Sequence, residues 1–292
     1  MNKVLITGAN GQLGSEIRNL SAEYPDFQFI YTDIDNLDIT DKKAINELFE
    51  EHNGIEYLIN CAAYTAVDKA EEDTELANKI NVEAVANLSE ICNSFGTKMI
   101  HISTDYVFDG TNYQPYKESD PCSPNSAYGR TKLDGELTFQ ESGVEGIIIR
   151  TSWLYSTYGH NFVKTILRLS NERDQLGVIF DQIGTPTWAH DLAKAILDIL
   201  KFSEHEPDAI KTGIYHYSNE GVCSWYDFAT EIAEYASHAC VINAIEGKEY
   251  PLPAPRPFYS VLNKSAIKAS FDIKIPHWKN SLHQCIDLIL DS

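Results

Sequence analysis

No stretch of this chain stays apolar for the roughly 18 residues that a membrane helix requires, so a bilayer-spanning protein of that kind is not expected. Cysteine is poor in pattern: Cys61, Cys92, Cys122, Cys223, Cys240 and Cys285 lie scattered, with no C-x-x-C pair. That spacing excludes a disulfide frame and a cysteine-built zinc site, and it fits the reduced thiols of a cytosolic protein. Only Val4 to Ile6 precede Thr7 and Gly8 as an apolar run, too short for the core of a secretory leader, so a cytoplasmic location is the expectation. Positive charge is scarce: 23 Lys and Arg stand against 43 Asp and Glu, a net charge of −20. A nucleic-acid partner is therefore not expected. The acid is spread along the chain, where it serves solubility, and an anionic substrate would need a local basic pocket. There is no repeat and no low-complexity tract. What remains is ordinary for a globular protein, 43% hydrophobic and 23% charged, and its 292 residues suffice for one large domain plus a smaller one.

The strongest local signal is Val4-Leu5-Ile6-Thr7-Gly8-Ala9-Asn10-Gly11-Gln12-Leu13-Gly14. A short apolar run suited to a buried parallel strand meets three glycines in G-x-x-G-x-x-G spacing, and a helical pattern through Ile17 and Leu20 comes next. Glycines let the turn close tightly and let its backbone approach a diphosphate. The next helix presents unpaired N–H groups to that anion. Gly8, Asn10, Gly11, Gln12, Leu13 and Gly14 are thus candidates for binding a dinucleotide. The second strand, Phe27 to Thr32, ends at Asp33, about 20 residues beyond the loop, where an acid accepts hydrogen bonds from a ribose. Asp35 and Asp38 compete with it, and Ile39 follows. With no Arg or Lys close behind, Asp33 favours NADH over NADPH.

Further on, strands and helices alternate. Glu56 to Asn60 runs into the small residues Cys61, Ala62 and Ala63, then Tyr64 and Thr65, which suits a cofactor lying against a strand end. One long helix is expected from about Thr74 to Phe95, with Leu76, Ile80, Ala84, Leu88 and Ile91 on one face and Asn81 either solvated or bracing the sheet edge. Lys98 to Ser103 delivers Thr104, Asp105 and Tyr106 to the same sheet edge. A helix starting near Asn125 or Ser126 carries Tyr128 and Lys132, and Gly146 to Arg150 ends in Thr151-Ser152-Trp153. The alternation argues an α/β fold, a doubly wound parallel sheet of Rossmann type. Residues 1–155 form the dinucleotide-binding domain, with segments near 178–217 returning to it. Residues 156–292 form mainly a second, smaller, discontinuous substrate domain. Its Pro251-to-Pro257 segment is semi-rigid and positions Arg256.

Tyr128-x-x-x-Lys132 places both side chains on one helix face. The ammonium is expected to lower the tyrosine pKa, and a hydroxyl such as Thr104 shares the proton of a substrate oxygen. These are the parts for moving a hydride between a nicotinamide and a carbonyl, with Tyr128 as proton donor. Arg256 offers a planar fork to a diphosphate, and Trp153 a face to a sugar.

The chain resembles the dTDP-4-dehydrorhamnose reductase family, within the extended short-chain dehydrogenases/reductases. The likeness runs through Thr7 to Gly14, Asn60 to Asp68, Ser103 to Gly110, Tyr128 to Lys132, Arg150 to Trp153, Gly159-x-Asn161-Phe162, Asp181 to Thr187 and Arg256-Pro257. The glycine loop and Tyr/Lys pair are superfamily-wide, while the Ser103–Gly110 and Asp181–Thr187 runs are more specific. The resemblance implies Thr104, Tyr128 and Lys132 as the catalytic set. It implies that Thr65, Val67, Tyr106, Trp153, Asn161 and Arg256 lie on the sugar-nucleotide side, and that the substrate is a dTDP-sugar reduced at C4 with NADH or NADPH. Family members that dimerise through a metal hold it with acidic residues. No such cluster is evident beside Ser15 or Ser292, so no metal is expected, and the chain is a monomer or homodimer. Two alternatives stay open. One is a nucleotide-sugar epimerase or dehydratase, although a dehydratase has an acid where Tyr106 stands, which leaves Asp105 without a role. The other is a non-catalytic NADP(H)-binding regulatory subunit.

Overall fold

The computed structural model describes residues 1–206, 210 and 212–291, so Ser292 lies outside the described residues. The first five strands are β1 (Asn2–Thr7), β2 (Phe27–Tyr31), β3 (Ile55–Asn60), β4 (Lys98–Thr104) and β5 (Gly146–Thr151). Short strands β6 (Leu154–Tyr155), β7 (Gln175–Ile179), β8 (Ile183–Gly184) and β9 (Thr187–Trp188) come next, then β10 (Gly213–His216), β11 (Cys223–Ser224) and β12 (Val241–Ile245). Six of them form one parallel sheet in the order β10-β5-β4-β3-β1-β2. The chain steps from β1 outward to β2, then returns to the other side of β1 as β3. In such sheets this reversal opens a crevice at the carboxyl ends of the strands.

The alternation of strand side chains explains the layers. Val4 and Ile6 of β1 join Leu13, Ile17 and Leu20 of α1 (Gln12–Leu20) on one face, whereas Leu5 faces Ile45 and Phe49 of α2 (Lys42–Glu51) on the other. Both faces are covered, as a parallel sheet requires. Asp41 caps α2, accepting from the backbone N–H groups of Lys43 and Ala44 at 3.0 and 3.1 Å.

The single helix expected over residues 74–95 is corrected. It is α3 (Thr74–Asn78), a π-helical turn over Lys79–Glu83, and α4 (Ala84–Phe95). A π-turn carries one residue more than an α-turn and rotates the helix beyond it. The apolar stripe therefore splits: Leu76 and Ile80 border a cleft, while Ala84, Leu88 and Ile91 are buried beneath the sheet.

Helix α5 (Ala127–Glu141) starts behind Ser126, whose hydroxyl accepts from the Gly129 N–H at 3.1 Å. Its Glu136 carboxylate receives the Arg150 Nε and Nη2 donors of β5 at 2.9 and 2.6 Å, fully buried. Removing one partner of such a pair costs roughly 3–5 kcal/mol, so this pair fixes the helix on the sheet. A second apolar centre gathers Val163 and Ile166 of α6 (Phe162–Glu172), Phe228 and Ile232 of α8 (Trp225–Tyr235), and Trp278, Leu282 and Ile286 of α10 (Trp278–Leu290). Between them in sequence, α7 (Ala189–His205) packs back on the first centre. So do Ile267 and Phe271 of α9 (Ser265–Phe271), a short helix that no sequence pattern announced. Among the described residues no helix is long and apolar enough to cross a membrane.

Candidate active site

A cleft of about 980 Å³ opens at the carboxyl ends of β1, β3 and β4. Gly8 sits at φ +65°, and a Cβ there would lie 2.7 Å from the Ala62 nitrogen, so only glycine lets the loop lie this close to the chain leaving β3. The cap position of α1 is Gly11, which gives no side-chain hydrogen bond, so the first helical N–H groups stay available to an anion. Asp33 is tied to the same loop: its Oδ2 accepts from the Asn10 N–H and its Oδ1 from the Ile34 N–H, each at 2.8 Å. Asp38 accepts from the Thr40 N–H and hydroxyl, which together hold its carboxyl below the usual range. Gly8, Asn10, Gly11, Gln12, Leu13, Asp33, Asp38, Ile39, Cys61, Ala62 and Ala63 all border the cleft. Gly14 lies beneath it against Ala9. Tyr64 does not border it either: its ring joins the apolar cluster under Tyr128, and its backbone N–H and C=O are held by Asn81 at 2.9 and 3.2 Å. Asn81 also donates to the Thr131 hydroxyl at 3.1 Å. It therefore braces the chain after β3 against α5, from within the π-turn.

Thr104, Tyr128 and Lys132 meet in the middle of the cleft. The phenol of Tyr128 reaches the Thr104 hydroxyl, which also donates to Asp105 Oδ1 at 3.0 Å. Contrary to the sequence argument, the Tyr128 pKa is not lowered. Burial pushes the phenol up to about 12, the Thr104 hydroxyl opposes that, and the Asp105 charge adds to it. The Lys132 ammonium donates to the Ile102 carbonyl at 2.7 Å, and burial pulls it down to about 8. Asp105 is raised to about 6 by burial, against hydrogen bonds from Ser260 and Thr104.

The other end of the cleft is bordered by Thr65, Val67, Tyr106 and Trp153. Trp153 has φ +48°, a strained conformation for a bulky residue. Its indole stacks on Trp225 at 3.6 Å and 10°, and Phe162 packs on Trp225 at 4.6 Å. Gly184 leaves room for this, since a Cβ there would sit 2.6 Å from the Trp153 indole. Trp225, His160 and Lys79 border the cleft and were missed from sequence. The Ser224/Asp227 capping box marks where the helix of Trp225 begins, but nothing local says that it meets Trp153. Two candidates stand back from the cleft. Asn161 caps α6 at the Lys164 N–H and donates to Gln12 Oε1 at 3.1 Å. The guanidinium of Arg256 is already engaged by Asp68. Among the described residues no group of three His, Cys, Asp or Glu side chains is placed to hold a metal ion.

A nucleotide-binding sheet with a Thr/Tyr/Lys set at the carboxyl ends of its strands defines an oxidoreductase of the short-chain dehydrogenase/reductase type. Residues 1–290 match the family described as RmlD substrate binding domain. The chain is 38% identical over 288 residues to a dTDP-4-dehydrorhamnose reductase of Aggregatibacter actinomycetemcomitans, covering 97% of each. A crystal structure of a dTDP-4-dehydrorhamnose reductase from Clostridium acetobutylicum superposes with a TM-score of 0.91 at 43% identity, covering 99% of both chains. One from Bacillus anthracis, in complex with NADP, gives 0.91 at 36% identity, covering 99% of this chain and 100% of that one. The chain belongs to the dTDP-4-dehydrorhamnose reductase family.

Proposed function

We propose that the chain reduces the C4 ketone of dTDP-4-dehydro-L-rhamnose to dTDP-L-rhamnose, with NADH or NADPH as reductant. The observation that carries this is the buried Tyr128 phenol, joined to Thr104 and one helical turn from Lys132. The glycine loop, the uncapped start of α1 and Asp33 fit a dinucleotide: they offer open backbone donors to a diphosphate and a carboxylate to a ribose. Bound there, a reduced nicotinamide supplies the hydride. Tyr128 gives its proton to the oxygen formed at C4, and its raised pKa keeps that proton on the phenol at neutral pH. Thr104 steadies the same oxygen. Lys132, its ammonium weakened by burial, holds the dinucleotide side. Tyr106, Trp153 and Arg256 take the sugar nucleotide, and Arg256 serves its diphosphate.

In this scheme residues 1–155, with returning segments near 178–217, bind the dinucleotide and the rest of 156–292 mainly the sugar. No metal and no nucleic acid takes part, and the chain works as a monomer or homodimer in the cytoplasm. The test tracks reduced-nicotinamide absorbance with dTDP-4-dehydrorhamnose, together with product analysis. One reduced cofactor consumed per dTDP-L-rhamnose formed is the expected result. Sugar conversion without net oxidation of the cofactor would replace this scheme with epimerase or dehydratase chemistry, and no conversion with either cofactor would point to a regulatory subunit.

A further inference from the structure

Asp68 comes directly after Val67 at the rim of the cleft, and both of its carboxylate oxygens are committed to one segment far along the chain. Oδ1 accepts from Arg256 Nη1 at 2.5 Å and Oδ2 from Nη2 at 2.7 Å. The Ala254 N–H also donates to Oδ1 at 3.1 Å, and Arg256 Nη1 donates a second time, to the Ala254 carbonyl, at 2.6 Å. A guanidinium has five N–H donors in a fixed plane. The end-on edge, Nη1 and Nη2, is taken by Asp68, and the outer Nη1 hydrogen by Ala254. What remains is the side-on edge, Nε and the inner Nη2 hydrogen; the Tyr106 hydroxyl accepts from the guanidinium there, which leaves one N–H beside that hydroxyl for a phosphate oxygen. Beside Arg256 stands the Tyr106 hydroxyl, and the Tyr106 ring borders the cleft and meets the Tyr128 ring edge-on at 5.5 Å.

We infer that Asp68 is a positioning residue for an anion seat. By gripping the end-on edge of Arg256 it turns the side-on edge, with the Tyr106 hydroxyl, toward a phosphate of the substrate's diphosphate. The inference rests on the sugar-nucleotide role proposed for Arg256, and it adds what orients that side chain. The alternative use of the same pair has the opposite sign. If Asp68 were a competitor that the phosphate displaced, removing its charge would strengthen binding. Two observations favour the seat. The carboxylate also holds the backbone of Ala254, so displacing it would free the whole segment. Arg256 is 17% exposed in its side chain, so it has little room to swing.

The test titrates thymidine diphosphate and thymidine separately into the full chain. Wild type is expected to prefer the diphosphate. In Asp68→Asn that preference should fall by about tenfold, the worth of one misaligned charge-assisted pair, while thymidine and NADPH bind as before. In turnover the loss should appear in KM for the dTDP-sugar, with kcat little changed, because the diphosphate is remote from C4. Should Asp68→Asn fail to fold, Arg256→Lys tests the same seat, since it keeps the charge and removes the side-on edge. It is expected to lose the same preference. Unchanged or tighter diphosphate binding in a folded variant overturns the seat. A chain that binds thymidine diphosphate in this Asp68-dependent way but never reduces the sugar keeps the seat and overturns the reductase.

Discussion

The cleft has two unlike ends. The end proposed for the dinucleotide is made by backbone at adjoining strand termini: Gly8 after β1, Asp33 after β2 and Ala62 after β3, with hydrogen-bonding register between neighbouring strands setting their relative positions. The end proposed for the sugar is bordered by side chains from segments remote in the chain, Tyr106, Trp153 and Trp225, with Arg256 set back behind them, each held by another side chain or by strain. The difference teaches where specificity can change cheaply. A register-fixed backbone site tolerates few substitutions and serves one chemistry. A side-chain site carried on loops can be remodelled residue by residue while the sheet stays intact.

The predictions press on that contrast. The largest effect belongs where the two ends meet. Tyr128→Phe removes the one phenol proton at Thr104 and keeps the ring, so kcat should fall about 10²-fold or more while cofactor titration stays normal. Near-normal turnover would remove Tyr128 from the chemistry. Next is a stability effect at the same junction. Asp105 titrates near 6 in the fold rather than at its ordinary 3.8, because burial disfavours its charge. Its ionisation therefore costs the fold nothing below about pH 4, an increasing amount between about 4 and 6, and roughly 3 kcal/mol at most above that. Asp105→Asn should unfold at a higher temperature than wild type at about pH 7.5 and at the same temperature near pH 4. An equal gain at both pH values would mean that the charge is not its source.

At the sugar end, Trp225→Ala leaves Trp153 without its stacking partner. KM for the dTDP-sugar should rise about tenfold, the upper worth of an aromatic pair, with NADPH affinity unchanged. A matching loss of NADPH affinity would erase the proposed separation of the two ends. The smallest effect is expected at Asp33. Its carboxylate is half-buried and already accepts from the Asn10 and Ile34 N–H groups, so Asp33→Ser should move the kcat/KM ratio of NADPH to NADH upward by only several-fold. An unchanged ratio transfers the role to Asp38.

The same contrast decides what the sequence disclosed. The glycine loop, Asp33, the strand-end alanines and the Tyr128/Lys132 pair were legible because each depends on neighbours within a few residues. The start of α5 was legible as Asn125 or Ser126, and the Ser126 hydroxyl on the Gly129 N–H decides between them. The stacking of Trp153 on Trp225 and the capture of Arg256 by Asp68 were not legible, because long-range packing creates them and no period or motif marks either partner. The Tyr128 pKa was misjudged for a related reason. Spacing on a helix places Lys132 beside it, but only the fold shows the ammonium turned to the Ile102 carbonyl and the phenol buried. The split of the 74–95 helix escaped because a π-turn keeps helical composition while breaking helical period.

That π-turn limits how the protein can be edited. Deleting any one residue of 79–83 would let the segment relax into plain α-helix, with better local hydrogen bonding. It would also turn everything beyond it by about 100° relative to α3. Val85, Leu88 and Ile91 would swing off the sheet, or else Leu76 and Ile80 would leave the cleft, and Asn81 would lose either Tyr64 or Thr131. A length change that an ordinary surface helix absorbs by fraying would here have to be absorbed at the reacting centre. The surplus residue works as a spacer that sets the phase between the two halves of one helix, so a redesign that straightens it for stability should leave a well-folded chain with a misaligned cleft.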